Sequence, residues 1–224
     1  MKQTTVPRRS LAPEARASSH DRILGAAKDL FASKGYDNAS TAAIARLAGT
    51  SESQLIKHFG SKEGLLESIF EQAWQKLNWG IRQSLQSVSS PAEKLRVLVD
   101  MTLSGFERDP QVKLLLLLEG RHISKEGRMI LLTQGFLDFV RLLDGLLEEM
   151  RAAHLIRSDL HLEGVRSALM GAFEGMLRDQ ILSQRIRYPA HYNVKHVREI
   201  FGALLDSFLS PSDQPASGDA RLQD

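Results

Sequence analysis

The sequence predicts an all-α fold of about nine helices, and three observations support this. Apolar residues recur every three or four positions in successive segments between residues 19 and 209, which is the period of an amphipathic helix. Helix start signals precede several of these segments. The clearest is Ser-Pro-Ala-Glu at residues 90–93, which combines an N-cap, a proline in the first turn and a capping-box glutamate. No segment shows the sustained alternation that a half-buried strand requires.

The N-terminal part of the chain is predicted to hold three short helices and the start of a fourth. Each begins at a capping residue, and two end at a glycine suited to a helix C-terminus. The expected caps and ends are Ser18 or Ser19 with Gly35, Ser40 with Gly49, Ser51 for the third helix, and Ser61 for a long helix reaching Leu85. Their apolar stripes predict one small core of Phe31, Ile44, Leu47, Leu55, Phe59 and Leu65.

The later helices are predicted to be longer. One follows Ser90, and the next starts at Asp109-Pro110 and carries five consecutive leucines at 114–118, which predicts burial on most sides. Three more helices are expected over 126–153, from Asp159, and from Pro189. The polar ends at 1–18 and 210–224 contain too few apolar residues to form a core, so we expect flexible tails.

The composition excludes some classes of protein. The 224 residues include no cysteine, so the chain has no disulfide and no thiolate metal site. No apolar run approaches the roughly 20 residues that cross a bilayer, and the first residues lack the apolar core of a signal peptide. We expect a cytoplasmic protein without membrane contact. No metal-binding, nucleophile-elbow or phosphate-loop motif is present, so we expect neither an enzyme nor a cofactor or metal.

The positive charge is concentrated near the N-terminus. Residues 1–66 carry ten Lys and Arg against six Asp and Glu, whereas the whole chain has a net charge of +2. Such a bias is typical of a surface that meets a polyanion, although chance gives the same pattern about as often. Arg8, Arg9 and Arg16 in the basic tail would either enter a DNA groove or only aid solubility.

The second and third short helices, separated by a turn at Gly49, predict a helix-turn-helix. In this motif the second helix enters the DNA major groove and presents its leading residues to the base edges. The groove is about 12 Å wide, so those residues should be small or polar. Here they are Thr50, Ser51, Glu52, Ser53 and Gln54. Glutamine can pair with adenine through two hydrogen bonds, but it can equally serve the helix cap.

Residues 23–66 contain a series of short motifs: Phe31 to Gly35-Tyr36, then Ser40, Ile44-Ala45 and Ala48-Gly49, then LIKHFGSKEGL at 55–65. In their order and spacing these motifs resemble the TetR family of transcriptional regulators. The chain departs from the family pattern at three positions: Ile56 replaces a frequent tyrosine that contacts phosphate, Ala43 replaces an acidic residue, and Thr50 replaces a valine.

The resemblance implies that residues 19–66 form a DNA-binding domain and residues 67–209 a domain for ligand binding and dimerisation. Phosphate contacts are expected from the start of the second helix, the end of the third and the start of the fourth, at Ser40, Thr41, Lys57, His58 and Lys62. The alternative for each is a capping or solvent-exposed polar residue.

The larger domain is expected to bind a small apolar or aromatic effector, because its central helices carry little charge. The candidate pocket residues are Met101, Phe106, Leu117, His122, Phe136, Phe139, Met170, Phe173 and Glu174. Small residues and a two-faced last helix predict a homodimer interface, rather than a monomer with a large core, at Ala168, Gly171, Gly175, Val197, Phe201, Leu204, Leu205 and Phe208.

These features predict a ligand-responsive transcriptional regulator. A repressor is expected, which binds a palindromic operator as a dimer and is released when the effector shifts the long helix beginning at Lys62. The alternatives are a helix-turn-helix regulator controlled by a protein partner and a helical carrier that has lost DNA binding.

Overall fold

The computed structural model describes residues 18–124 and 127–208. Within these ranges it contains nine α-helices and no strand beyond an isolated bridge between Ile123 and Met129, which confirms the all-α fold. The helices are α1 Ser19–Lys34, α2 Thr41–Leu47, α3 Glu52–Phe59, α4 Lys62–Leu85, α5 Pro91–Arg108, α6 Pro110–Leu118, α7 Gln134–Ala152, α8 Leu162–Arg185 and α9 Val194–Phe208. The predicted tails lie outside the described residues, apart from Ser18.

The predicted helix starts in the first half of the chain are confirmed by their capping hydrogen bonds. In each case the N-cap oxygen accepts a backbone N–H three residues further on, which satisfies one of the unpaired donors of the first turn. These caps are Ser18, Ser40, Ser51, Ser61, Ser90 and Asp109.

The prediction of a helix over 126–153 is wrong at its beginning, because α7 starts only at Gln134. Before α7, Gly127 has φ of 76°, in the left-handed region that glycine tolerates, and Met129 forms an antiparallel bridge with Ile123. Ile130 then enters the core. Tertiary contacts therefore outweigh the helical pattern in this segment.

The last two helices also begin later than predicted. The Asp159 carboxylate accepts two hydrogen bonds from Arg157 in the preceding turn, and α8 begins at Leu162. The segment after Pro189 stays non-helical until Val194, where the Asn193 side chain accepts the N–H groups of Lys195 and His196.

The first three helices and the start of α4 enclose a small core. Ile23, Phe31, Ile44, Leu55 and Leu65 are each at most 1% exposed. Leu47 does not join them. It is 57% exposed at the end of α2, so its assignment to this core was wrong.

Helix α4 runs from this core into the larger helical body, where it packs against α5 and α7. The α4–α7 crossing is close: the Gly135 N–H donates to Glu71 Oε2 at 2.7 Å, and Asn78 Nδ2 donates to the Gly135 carbonyl at 2.8 Å. Helix α4 is therefore part of both the small N-terminal core and the larger helical body.

Helix α6 forms a second link, because it packs against α1. Lys28 Nζ lies 2.8 Å from Asp109 Oδ2, and Gln111 Nε2 donates to Asp29 Oδ1 at 2.9 Å. Leu115 and Leu116 in the leucine run are buried, and the other three leucines of 114–118 are partly buried. No helix in the described ranges is both long and apolar enough to span a bilayer.

Candidate DNA-binding surface and effector cavity

Helices α2 and α3 meet at a tight turn. Gly49 adopts φ of 64°, and the Thr50 N–H donates to the Ala45 carbonyl at 3.0 Å. Leu55 is fully buried and anchors α3. The remaining α3 residues up to position 58 are exposed: Glu52, Ser53, Gln54, Ile56, Lys57 and His58. The helix therefore presents a continuous polar face, with Ile56 as its one apolar member.

The leading end of α3 is held by short contacts between predicted site residues. Ser51 Oγ accepts the Gln54 N–H at 3.2 Å and lies 2.9 Å from Ser53 Oγ. The Thr41 hydroxyl donates to the Glu52 carboxylate. This bond joins the first residue of α2 to the first residue of α3.

The other end of α3 is joined to the start of α1. His58 Nε2 lies 3.2 Å from Ser19 Oγ, and the His20 ring lies 4.7 Å from the Phe59 ring. Phe59 itself is partly buried, as expected for a residue that holds the helix down. Lys57 extends into solvent beside this contact.

Lys62, at the first turn of α4, is not a free surface lysine. Its Nζ donates to the carbonyl oxygens of Tyr36 at 2.8 Å and Asp37 at 3.4 Å, and it lies 4.3 Å from the centre of the Tyr36 ring. An ammonium group has three donors, so one remains for another partner. Lys62 thus holds the α1–α2 loop against α4.

An apolar cavity of about 120 Å³, here called the inner cavity, lies between α4, α5, α6, α7, α8 and α9. Seven of the nine predicted pocket residues line it: Phe106, Leu117, Phe136, Phe139, Met170, Phe173 and Glu174. Sequence reasoning missed the rest of the wall: Trp74, Leu95, Leu98, Val99, Thr102, Leu116, Leu131, Leu143, Leu169 and Phe201. Trp74 extends the apolar stripe of α4, so the helical pattern could have pointed to it.

Two predicted pocket residues lie elsewhere. The His122 ring contacts the Tyr36 ring in a tilted arrangement with 5.0 Å between ring centres, and its Nδ1 lies 3.0 Å from the Glu119 carbonyl oxygen. Met101 lines a second, wider cavity of about 560 Å³ between α4, α5 and α6, here called the outer cleft. Both placements correct the prediction that these residues face one pocket.

Glu174 is the only carboxylate among the residues that line the inner cavity. Its Oε1 lies 2.7 Å from Arg121 and 3.4 Å from Arg178. The charge is thereby neutralised within the protein, and the cavity wall remains apolar in character.

The predicted dimer residues separate into two groups. Val197, Phe201 and Leu205 are buried within the protomer, so these three cannot form the main contact with a partner subunit. Their side of α9 packs on the protomer's own core, and the Phe201 ring lies 5.6 Å from Phe173. The others are exposed or partly exposed: Ala168, Gly171, Gly175, Leu204 and Phe208.

The fold and the exposed α3 define a helix-turn-helix DNA-binding protein with an attached helical domain. Residues 23–69 match the family profile described as bacterial regulatory proteins, tetR family. Residues 70–205 match the profile described as YsiA-like protein, C-terminal region. The chain belongs to the TetR family of transcription regulators, whose members are not enzymes.

Curated relatives support this assignment. The chain is 22% identical over 166 residues to a fatty acid metabolism regulator protein of Bacillus subtilis, covering 73% of this chain and 84% of that protein. It is 32% identical over 90 residues to the transcriptional activator FasR of Mycolicibacterium smegmatis, covering 40% of this chain and 41% of FasR. The chain thus spans less than half of FasR.

Solved structures share the fold. The fatty acid degradation regulator FadR of Bacillus halodurans superposes with a TM-score of 0.74 at 23% identity, covering 86% of this chain and 96% of that one. FadR of Bacillus subtilis in complex with stearoyl-CoA gives 0.73 at 20%, covering 85% and 98%. AibR in complex with isovaleryl coenzyme A and operator DNA gives 0.63 at 19%, covering 84% and 99%.

Proposed function

We propose that this protein is an effector-responsive repressor that binds a palindromic operator as a homodimer. An acyl thioester of coenzyme A would act as the effector that releases it. The observation that carries the proposal is the combination, in one chain, of an exposed recognition helix and an apolar inner cavity joined through α4 and α6.

In this proposal α3 lies in the major groove. Ser51, Ser53 and Gln54 present hydroxyl and amide groups to the base edges, and Glu52 and Thr50 flank them. Ile56 is 43% exposed on the same helix. Its apolar side chain suits contact with a thymine methyl group, in place of the phosphate contact that a tyrosine would make.

Phosphate contacts would come from both ends of this surface. Ser40 and Thr41 lie at the start of α2, and Lys57 and His58 lie at the end of α3. The remaining donor of Lys62 would complete the set, at a helix N-terminus that itself favours an anion. These contacts position the protein on DNA without reading sequence.

Dimerisation would use the exposed sides of α8 and α9. A Cβ added at Gly171 meets no atom of the protomer within 4 Å, so this glycine is not needed for packing inside the chain. A small residue there permits the close approach of a second helix. Ile200 is exposed beside Leu204 and adds apolar area to this surface. Ala168, Gly175 and Phe208 complete this surface.

The size of the inner cavity supports a short acyl group. An engineered apolar cavity of about 150 Å³ admits benzene, so a cavity of about 120 Å³ suits a chain of roughly six carbons. FadR of Bacillus subtilis in complex with stearoyl-CoA and AibR in complex with isovaleryl coenzyme A share this fold, which is why we choose this chemical class. The acyl chain of the expected ligand is closer in length to the isovaleryl group than to the stearoyl group.

Effector binding would act on DNA affinity through α6. Leu116 and Leu117 line the inner cavity, while Gln111 of the same helix and its N-cap Asp109 contact α1. A ligand that favours one position of α6 changes the placement of α1, and therefore of α3, by its differential affinity for the two states.

The test uses duplexes from the DNA upstream of the protein's own gene and random duplexes of equal length, across a salt series. The proposal expects specific binding whose salt dependence is steep, together with a dimer by sedimentation. Hexanoyl-CoA should then lower operator affinity. Failure to bind any duplex at low salt would contradict the DNA-binding part. Release by a partner protein and by no acyl thioester would contradict the effector part.

A further inference from the structure

The inner cavity and the outer cleft share one wall. Trp74, Phe106 and Leu116 line both of them. The two spaces differ in chemistry. The inner cavity is lined by apolar side chains apart from Thr102 and Glu174, and the Glu174 charge is paired with Arg121 and Arg178. The outer cleft includes Lys76 and Arg108 together with Asp109, whose carboxylate is paired with Lys28. A ligand with an apolar tail and an anionic head would match the two spaces in that order.

The shared wall contains an unpaired hydrogen-bond donor. Trp74 is 6% exposed, and its Nε1 has no acceptor among the described residues. Buried N–H groups in proteins are normally paired, because leaving one unpaired is unfavourable. The other such atom in the described part of the chain, Asn78 Oδ1, belongs to a residue that lines neither space.

The positive charge on the outer side of the wall is also unpaired. Lys76 and Arg108 are exposed and form no ion pair with any described residue. In contrast, Arg121 and Arg178, on the opposite side of the inner cavity, both contact Glu174. The outer cleft is therefore the side on which an anion would find free partners.

We propose that the outer cleft binds the phosphate-bearing head of the effector, and that Trp74 Nε1 donates to the carbonyl oxygen joining head to tail. This rests on the proposed acyl thioester effector. The acyl chain fills the inner cavity, and Lys76 and Arg108 meet the phosphates. The face of Trp79, which is 68% exposed in the cleft, is available to stack on a flat base.

A ligand placed in this way passes between the side chains of the shared wall. These side chains must therefore move apart when the ligand binds. Leu116 is the member of the wall that belongs to α6. Displacement of Leu116 moves α6, the helix that contacts α1. The coupling between effector binding and DNA affinity therefore begins at the junction between the acyl chain and the head group of the ligand.

Titration calorimetry on the full chain tests the head site with two probes, hexanoyl-CoA and the uncharged ketone 2-octanone. The double variant Lys76→Ala/Arg108→Ala should lose at least tenfold in affinity for hexanoyl-CoA at low salt, and it should bind 2-octanone as wild type does. Arg82→Ala is the matched control, because Arg82 is an exposed residue of α4 outside the cleft. This variant should bind both probes with wild-type affinity.

Trp74→Phe tests the donor. It should lose about tenfold in affinity for 2-octanone, the size expected for one hydrogen bond, and it should bind toluene, which has no carbonyl, as wild type does. Equal losses for 2-octanone and toluene would overturn the role of Nε1. The exposed double variant keeps the head site testable if Trp74→Phe fails to fold.

The outcomes also separate this inference from the proposed function. If wild type binds hexanoyl-CoA and the double variant binds it equally well, the head site is overturned while the effector class stands. If wild type does not bind hexanoyl-CoA at all, both the head site and the effector class are overturned. Operator binding by the wild-type protein is measured separately and does not depend on either result.

Discussion

The rings of Tyr36 and His122 lie 5.0 Å apart, centre to centre, and join the two functional parts of the protein. Tyr36 is buried in the α1–α2 loop beneath Lys62, and burial raises the pKa of its hydroxyl, so the ring stays neutral. His122 follows α6, the helix that contributes Leu116 and Leu117 to the inner cavity. The contact thus connects the cavity wall to the loop that precedes the helix-turn-helix.

Replacing His122 should weaken the effector response more than either binding event. An aromatic contact of this kind contributes about 1 kcal/mol, or roughly a fivefold change in an equilibrium. We expect His122→Ala to bind operator and hexanoyl-CoA as wild type does, while the loss of operator affinity caused by the effector becomes about fivefold smaller. His191→Ala, at an exposed position, is the control. An unchanged response in His122→Ala would show that coupling bypasses this contact.

Gln54→Ala distinguishes base recognition from helix capping. The Ser51 hydroxyl already caps α3, and the Gln54 side chain is exposed, so we expect its loss to cost about 1–3 kcal/mol on the operator. Binding to random DNA and the midpoint of thermal unfolding should stay unchanged. Gln72→Ala on α4 controls for loss of an exposed glutamine. Reduced thermal stability with unchanged base preference would favour the capping role instead.

Gly135→Ala should destabilise the α4–α7 crossing. The added Cβ would lie 2.8 Å from the Trp74 Cβ and 3.3 Å from the Gln75 backbone nitrogen, so the helices must separate. Overpacking of this kind costs about 1–3 kcal/mol, measured by urea unfolding. Gly145→Ala on the same helix meets open space and should gain about 0.5–1 kcal/mol. Equal effects at both positions would contradict this account of the crossing.

Lys113→Met should raise the midpoint of thermal unfolding at neutral pH. Burial lowers the pKa of Lys113 in the folded protein, so folding disfavours its charged form at every pH below that pKa. The advantage of methionine should shrink as pH rises through the lowered pKa towards the ordinary value of 10.5, because lysine is then neutral in both states. Unfolding scans at several pH values check this, and an advantage that does not change with pH would rule out a charge effect.

The local signals in the sequence were sufficient to predict the starts of the first six helices and the exposed side of α3. Ser40, Ser51 and Ser61 could be predicted as caps because capping needs only a hydrogen bond between a side-chain hydroxyl and the backbone N–H three residues later. The start of α7 could not be predicted in this way. Its boundary depends on Ile130 entering the core and on the bridge to Ile123, which are contacts between distant segments.

The inner cavity illustrates the same limit of prediction from local sequence signals. Helical spacing identifies apolar residues such as Phe139 and Phe201, but it does not say whether they face a cavity, the core or another subunit. Phe201 was assigned to the dimer and lies in the cavity wall. His122 was assigned to the pocket and contacts the DNA-binding part. These placements follow from the packing of six helices around one space.

The central claim is that an acyl thioester in the inner cavity releases the operator. The most direct measurement is fluorescence anisotropy of the operator duplex during titration with hexanoyl-CoA, for wild type and for Phe173→Trp. Phe173 lines the cavity between Phe106 and Phe201, so the larger indole should fill the space that the acyl chain requires. Circular dichroism would check that the variant is folded. The account predicts at least a tenfold loss of operator affinity for wild type and no response from the variant. Equal release of both proteins would contradict it.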